Sequence, residues 1–334
     1  SPLMIYVHVP FCGSFCTYCD FYSEIACSGR DFNAYTDEVC REIRRRAEEI
    51  RSTLEVNTLY IGGGTPSVLP FPYLERIVRK LGGGPYEEFT IEVNPEDIIC
   101  LGEGYLCALK SLGVNRVSMG VQSLDDGMLK WMNRRHNAGR AEQAFGMLRG
   151  AGFDNISVDV IFGISHMSDR MLEDTLERIA GWRPEHISAY QLSVEDGSAL
   201  HGMIESGIYA EACEEQCRRQ YELICTLLRT AGYHHYEISN WALPGREAVH
   251  NSAYWTRKPY VGLGPGAHSL RGTDIRSWNS EQVSGWTSEE EHLSESEIRE
   301  ERIMLGLRTD KGVDGKVIPE SDWFISDSII ESCL

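Results

Sequence analysis

No stretch of this sequence approaches 18 consecutive apolar residues, so no membrane-spanning helix is expected, and any membrane contact would be peripheral. Basic residues are scarce: Lys plus Arg number 32 against 50 Asp plus Glu, a formal charge of −18. Sequence-independent nucleic-acid binding rests on neutralising phosphates, so a nucleic-acid partner is not expected. The N-terminus lacks a basic segment followed by a long apolar run, which argues against a secretory signal. Repeats and low-complexity tracts are absent, and so are the paired C-x2-C hooks of a structural zinc site.

Cysteine, by contrast, is plentiful. Eleven of them without a signal peptide point to reduced thiols and a cytoplasmic setting. Cys27, Cys40, Cys100, Cys107, Cys225 and Cys333 read as small buried or incidental thiols. Cys213 and Cys217 share a helix face but have no local partner. The remaining three, Cys12, Cys16 and Cys19, form C-x3-C-x2-C directly after the apolar run 4–9. One loop thus supplies three soft thiolates and no fourth. A zinc loop could borrow a distant fourth ligand; an iron–sulfur cubane held by three cysteines keeps one iron open. Phe11, Phe15, Tyr18 and Phe21 flank the thiols, as suits a cluster screened from solvent.

Along the chain, β-branched runs at 4–9, 58–61, 89–93, 116–119, 156–161 and 186–191 alternate with periodic charged stretches at 32–50, 73–81, 105–112, 140–151 and 170–179. Six such alternations predict an α/β fold of parallel strands with right-handed crossovers. Whether the strands close cannot be read from alternation. Ligands are then expected at the carboxyl ends of the strands, where Cys12, Gly62-Gly63-Gly64-Thr65-Pro66 and Gln122 all fall. A long helix is expected at 210–231, then an aromatic, glycine-rich segment at 233–271. An acidic, serine-rich connection at 284–302 leads into a further helix.

The cysteine loop, Tyr6-Val7-His8-Val9-Pro10-Phe11-Cys12 and the Gly62–Ser67 turn resemble the radical S-adenosylmethionine (SAM) superfamily, in its coproporphyrinogen III dehydrogenase-like branch. The resemblance runs from about residue 6 to residue 314. It implies a three-quarter TIM-type barrel of six β/α units over residues 1–200, followed by an α+β extension over 201–334 that looks shortened. It also implies a [4Fe–4S] cluster on Cys12, Cys16 and Cys19 whose open iron chelates SAM. Gly63, Gly64 and Thr65 would meet the methionyl amino group, and Glu92, Gln122, Arg134 and Asp159 the rest of SAM. Tyr6 and Tyr18 would complete the pocket. The chemistry agrees, since guanidinium suits a carboxylate and carboxylates suit ribose hydroxyls. Reductive cleavage of SAM to a 5′-deoxyadenosyl radical is the superfamily's reaction, and it requires an electron donor.

Two features separate the branch's members. Dehydrogenases extend the signature with a fourth cysteine where this chain has Phe21. His250-Asn251-Ser252-Ala253-Tyr254-Trp255 matches the H-N-x-x-Y-W motif of the heme chaperones. The resemblance is therefore to a HemW-type carrier that binds heme and delivers it to a target such as a respiratory enzyme. His250 is the first expected heme residue and His268 the second, with His234 and His235 below them. The alternatives are oxidative decarboxylation of coproporphyrinogen III and SAM-dependent chemistry on heme itself. Catalysis and oligomeric state are left open by the sequence.

Overall fold

A computed structural model describes residues 3–13, 24–25, 29–51, 57–82 and 84–334. Six strands, β1 (Leu3–Val9), β2 (Asn57–Gly63), β3 (Glu88–Val93), β4 (Arg116–Gln122), β5 (Ile156–Phe162) and β6 (His186–Gln191), pair in parallel and in sequence order. Parallel strands covered on both faces read as near-continuous apolar runs. So it is here: Met4, Val7, Val9, Leu59, Ile61, Val117, Val158 and Val160 are wholly buried. Each such side chain contributes about 1.5–3 kcal/mol through its removal from water.

Helices α1 (Gly29–Arg45), α2 (Phe71–Leu81), α3 (Pro95–Leu112), α4 (Ala138–Gly150) and α5 (Asp169–Trp182) provide the crossovers. Their ends follow local chemistry. The Asn137 and Ser168 side chains cap α4 and α5 by accepting backbone N–H groups, and Gly113 ends α3 in the left-handed region at φ 109°. The expected helix 105–112 is longer than the periodicity suggested. Gly102, at φ 74°, interrupts it, and the amphipathic signal therefore changes phase between its halves.

Beyond β6 the chain forms α6 (Glu214–Thr230), β7 (His234–Glu237), β8 (Asn240–Ala242), α7 (Val249–Trp255), β9 (Tyr260–Leu263), β10 (His268–Arg271), β11 (Ile275–Asn279), β12 (Ser288–His292) and α8 (Glu295–Gly306). The strands continue the same sheet in the order β12-β11-β10-β9-β1-β2-β3-β4-β5-β6-β8-β7. β9 joins β1 in parallel with Leu263 opposite Val7, while β8 joins β6 antiparallel. The glycine-rich segment 233–271 is thus strands and one helix. β12, Ser-Glu-Glu-Glu-His, was not expected because all five of its residues are exposed and carry no alternation. α8 begins with a capping box of Ser294 and Glu297.

Glu42 on α1 binds this second half to the first. Almost fully buried, its carboxylate accepts the Gly264 N–H at 2.9 Å, the Asn279 amide at 2.9 Å and the Trp286 indole N–H at 3.2 Å. Of the thiols expected to be buried, Cys40 and Cys225 are, whereas Cys100, Cys107 and Cys333 are exposed on helix surfaces. Cys27 lies outside the described residues. Cys217 is buried and Cys213 is exposed at the N-terminus of α6. Among the described residues no helix is long and apolar enough to cross a membrane.

Candidate functional site: Cys12 and a glycine turn at a polar cavity

The carboxyl ends of β1 to β6 surround a cavity of about 560 Å³. Cys12, which follows β1, lies at its wall beside the turn after β2. Here the glycines have a specific task. The Gly64 N–H donates to Val9 O at 2.8 Å and the Thr65 N–H to Phe11 O at 2.6 Å, which docks the turn on the cysteine-loop backbone. A Cβ on Gly64 would lie 2.6 Å from Phe11 O and 2.9 Å from Cys12 Sγ, and one on Gly62 would lie 2.4 Å from Glu92 Oε1. Gly63 takes φ 116°, in the region that favours glycine. The triplet thus lets two chain segments approach.

A run of hydrogen bonds leads from the thiol across the wall. Thr65 Oγ1 donates to Cys12 Sγ at 3.9 Å and accepts from Asn94 Nδ2 at 3.3 Å. Arg134 Nη2 donates to Asn94 Oδ1 at 3.0 Å and to Gly120 O at 2.7 Å. Arg135 donates to Asp97 Oδ1 at 2.7 Å, and its guanidinium carbon lies 3.0 Å from where a Gly13 Cβ would stand, directly against the cysteine loop. Gln122 ends β4 at φ 70°, after a register shift. Its buried Oε1 has no hydrogen-bond partner among the described residues.

Deeper in the cavity lie two carboxylates. Burial, then the charge of Asp159, push Glu92 up to about 7, against the Tyr60 hydroxyl and the Arg116 guanidinium. Burial raises Asp159 to about 6, opposed by Arg116, Ser188 and Arg134. Both acids line the cavity. Hydroxyl groups of a ligand in the cavity would find acceptors in them. His136, also on the wall, donates its Nε2–H to Val121 O at 2.9 Å, and burial holds it near 4, hence neutral.

The expected residues thus sort clearly. Cys12, Gly63, Gly64, Thr65, Glu92, Gln122, Arg134 and Asp159 line one cavity. Tyr6 sits in the layer behind it, its ring 6.0 Å from that of Tyr60 and its hydroxyl 3.0 Å from His8 Nδ1. Cys16, Cys19 and Tyr18 lie outside the described residues. Tyr60, Asn94, Arg116, Arg135, His136, Ser188, Tyr190 and Asn251 also line the cavity. The sequence reading missed them because each is an ordinary polar residue until the fold turns it inward.

His250 does not face the cavity. Its Nδ1 meets Thr58 Oγ1 at 3.0 Å and its Nε2 meets the Tyr254 hydroxyl at 2.8 Å, both within the interior. The N–H groups of Val249 and His250 donate to the Glu88 carboxylate at 2.8 and 3.0 Å. Thr58 and Glu88 lie at the amino ends of β2 and β3, so α7 closes the floor of the cavity with Asn251 reaching the lining. Burial lowers His250 to about 3. His268, by contrast, is exposed at the carboxyl edge, its ring stacked on Trp278 at 6.4 Å. Burial, with the Arg276 charge, lowers it below the usual imidazole range.

Fold and site define an α/β protein that sets Cys12 and a glycine turn at the carboxyl edge of a parallel sheet, over a cavity with two buried acids. The model of the radical SAM superfamily matches residues 6–179. The heme chaperone HemW of Lactococcus lactis is 34% identical over 325 residues, covering 94% of this chain and 83% of that protein. HemW of Bacillus subtilis is 32% identical, with 98% and 89% covered. Coproporphyrinogen III oxidase (HemN) from Escherichia coli superposes with TM-score 0.78 at 22% identity, covering 92% of this chain and 76% of that one. The chain therefore belongs to the radical SAM superfamily and, within it, to the family of proteins named heme chaperone HemW.

Membership implies a [4Fe–4S] cluster and SAM. The residues present fit both: a buried thiol at the cavity wall, an orphaned amide oxygen on Gln122, and a buried acid pair in the lining.

Proposed function

We propose that this chain is a heme carrier that hands heme to an acceptor protein such as a respiratory enzyme, on a frame loaded with a cluster and SAM. Residues 1–200 form the three-quarter barrel of six β/α units and residues 201–334 the region that serves heme. The carrying observation is the cavity, which gathers Cys12, Thr65, Gln122, Arg134 and the Glu92–Asp159 pair at one strand edge. Family membership and the H-N-x-x-Y-W motif support the heme reading.

Each residue has a role in this account. Cys12, Cys16 and Cys19 hold the cluster. Gly63, Gly64 and Thr65 fix the cysteine loop and present backbone groups to the methionyl amino group. Arg134, already oriented by Asn94 and Gly120 O, receives the carboxylate. Glu92 and Asp159 accept ribose hydroxyls, and Gln122 Oε1 finds its missing donor. When bound, cluster and SAM supply one-electron chemistry or a regulatory state, for which an electron-donor protein is needed.

For heme, the geometry favours His268 over His250. His268 is exposed beside a coplanar-leaning Trp278, at an interplanar angle of 29°, and its ring is neutral near pH 7 with a lone pair for iron. Leu263 lies level with Val7 in the sheet, so His268, at the start of the next strand, shares the carboxyl edge with the cysteine loop. His250 already uses both ring nitrogens and acts as the rivet of α7.

The test is heme hand-off. Heme-loaded, anaerobically reconstituted protein is mixed with an apo-hemoprotein, and a parallel sample receives coproporphyrinogen III with a reductant. Transfer of the Soret band to the acceptor, with coproporphyrinogen III unconsumed, is the expected result. Conversion to protoporphyrinogen would overturn the carrier reading in favour of the dehydrogenase.

A further inference from the structure

Away from the cavity, Cys225 on α6, His235 on β7 and Glu320 at the start of a short turn of 3-10 helix (Glu320–Ile325) converge. Their ligand atoms all lie within 4.8 Å of one another. His235 Nδ1 is 3.9 Å from Cys225 Sγ and 3.2 Å from Glu320 Oε1. We propose that these three side chains bind a divalent cation of the zinc class, with a fourth position open to solvent. This inference is independent of the heme reading.

The second ring nitrogen carries much of the case. His235 Nε2 lies 3.1 Å from Ile238 O, an acceptor that also receives the Tyr221 hydroxyl at 2.7 Å. A neutral imidazole places its one proton on Nε2 to satisfy that carbonyl. Nδ1 then faces Glu320 Oε1 at 3.2 Å, the oxygen that also receives Arg229 Nη2 at 2.9 Å, so the ion would take the place of the guanidinium on this carboxylate. Ligating histidines typically donate the far N–H to a backbone carbonyl in this way, which fixes tautomer and orientation. Packing holds the ring as well: Trp241 stacks on it at 3.9 Å and 10°, and the Trp323 ring meets it at 4.3 Å and 73°.

Separations fit a small tetrahedral ion. Bonds of about 2.3 Å to sulfur and about 2.05 Å to nitrogen and oxygen put S and N about 3.6 Å apart and N and O about 3.3 Å apart. The observed 3.9 and 3.2 Å differ from these by a few tenths of an ångström. The donor set of thiolate, imidazole and carboxylate matches the borderline softness of zinc. Beside the group opens a cavity of about 340 Å³, lined by Tyr233, Ile318 and Trp323, through which water can occupy the fourth position. On binding, a sulfur–metal bond replaces the S–H bond and the thiol proton leaves to solvent, with no change of oxidation state. The ion would clip the C-terminal segment to β7, the edge strand of the sheet, and to α6.

Cobalt is the probe, because a thiolate ligand gives it a charge-transfer absorption. The full-length chain carrying Cys12→Ser, Cys16→Ser and Cys19→Ser removes the cluster loop as a competitor. One Co²⁺ per chain with a thiolate band, displaced by Zn²⁺, is expected. The band should vanish in Cys225→Ser, and affinity should drop at least about tenfold in Glu320→Gln. No thiolate band, or a band that survives Cys225→Ser, overturns the proposal. If Cys225→Ser fails to fold, unchanged affinity in the half-exposed Glu320→Gln does so instead.

Discussion

Gly64 shows what a single residue does in this site. Its missing Cβ would otherwise stand 2.6 Å from Phe11 O and 2.9 Å from Cys12 Sγ, contacts that backbone cannot relax cheaply. Gly64→Ala should therefore push the cysteine loop off its dock and lose most of the iron and sulfide taken up on anaerobic reconstitution. A variant that still incorporates four irons per chain would refute this reading of the turn. The place of Cys12 at the end of the first strand was legible, because cysteine spacing after an apolar run is local chemistry. Glu92 and Asp159 were legible only through the family pattern, since one carboxylate in a strand carries no signal of its own.

The acid pair also gives a pH dependence. The folded-state value of Glu92, about 7, lies above the ordinary 4.5, so the folded chain holds this proton more tightly than the unfolded chain. Its stabilising contribution is fully present below about pH 4.5 and is lost as pH rises through about 7. Glu92→Gln, neutral throughout, should exceed the ligand-free wild type at pH 8 by about 1–3 kcal/mol, with a gap below about 1 kcal/mol at pH 5. Urea unfolding at the two pH values measures it, and a gap that grows on acidification would contradict the assignment.

At the scale of elements, α7 lies at the floor of the cavity and carries the motif expected to serve heme. His250 is tied to Thr58, Tyr254 and, through its backbone, Glu88, partners from distant parts of the chain. No local pattern announces such pairings, so the motif's residue types were legible and their orientation was not. His250→Ala leaves two buried hydroxyls short of a partner and opens a cavity. It should cost about 2–4 kcal/mol of unfolding free energy, whereas His268→Ala should stay within about 0.5 kcal/mol. Equal losses in denaturant titrations would remove the distinction.

Glu42 is the same lesson in reverse. It reads as one more charge on an amphipathic helix, yet it is almost fully buried and accepts three donors from the β9–β12 region. Glu42→Ala should cost about 3–5 kcal/mol by stranding those donors, and thermal unfolding should show it as a large fall in midpoint. A change within experimental error would mean that strand pairing and packing hold the two halves together without this carboxylate.

At the scale of the whole molecule, the six parallel strands were legible because buried parallel strands are nearly continuous apolar runs. The sheet's extension on both sides was not, since short strands such as the exposed β12 lack alternation. The extension sets the carrier reading. β9 pairs with β1, which places His268 and Trp278 at the edge that also carries the cysteine loop. Under the proposed function, the cluster, SAM and heme would then share one edge of the sheet.

Heme titration of the reconstituted, SAM-loaded protein tests this arrangement most directly. The account predicts one heme per chain, with a saturable Soret band that shifts or disappears in His268→Ala and persists in folded His250→Ala. A band that depends on His250 and ignores His268, or no saturable band at all, would contradict it.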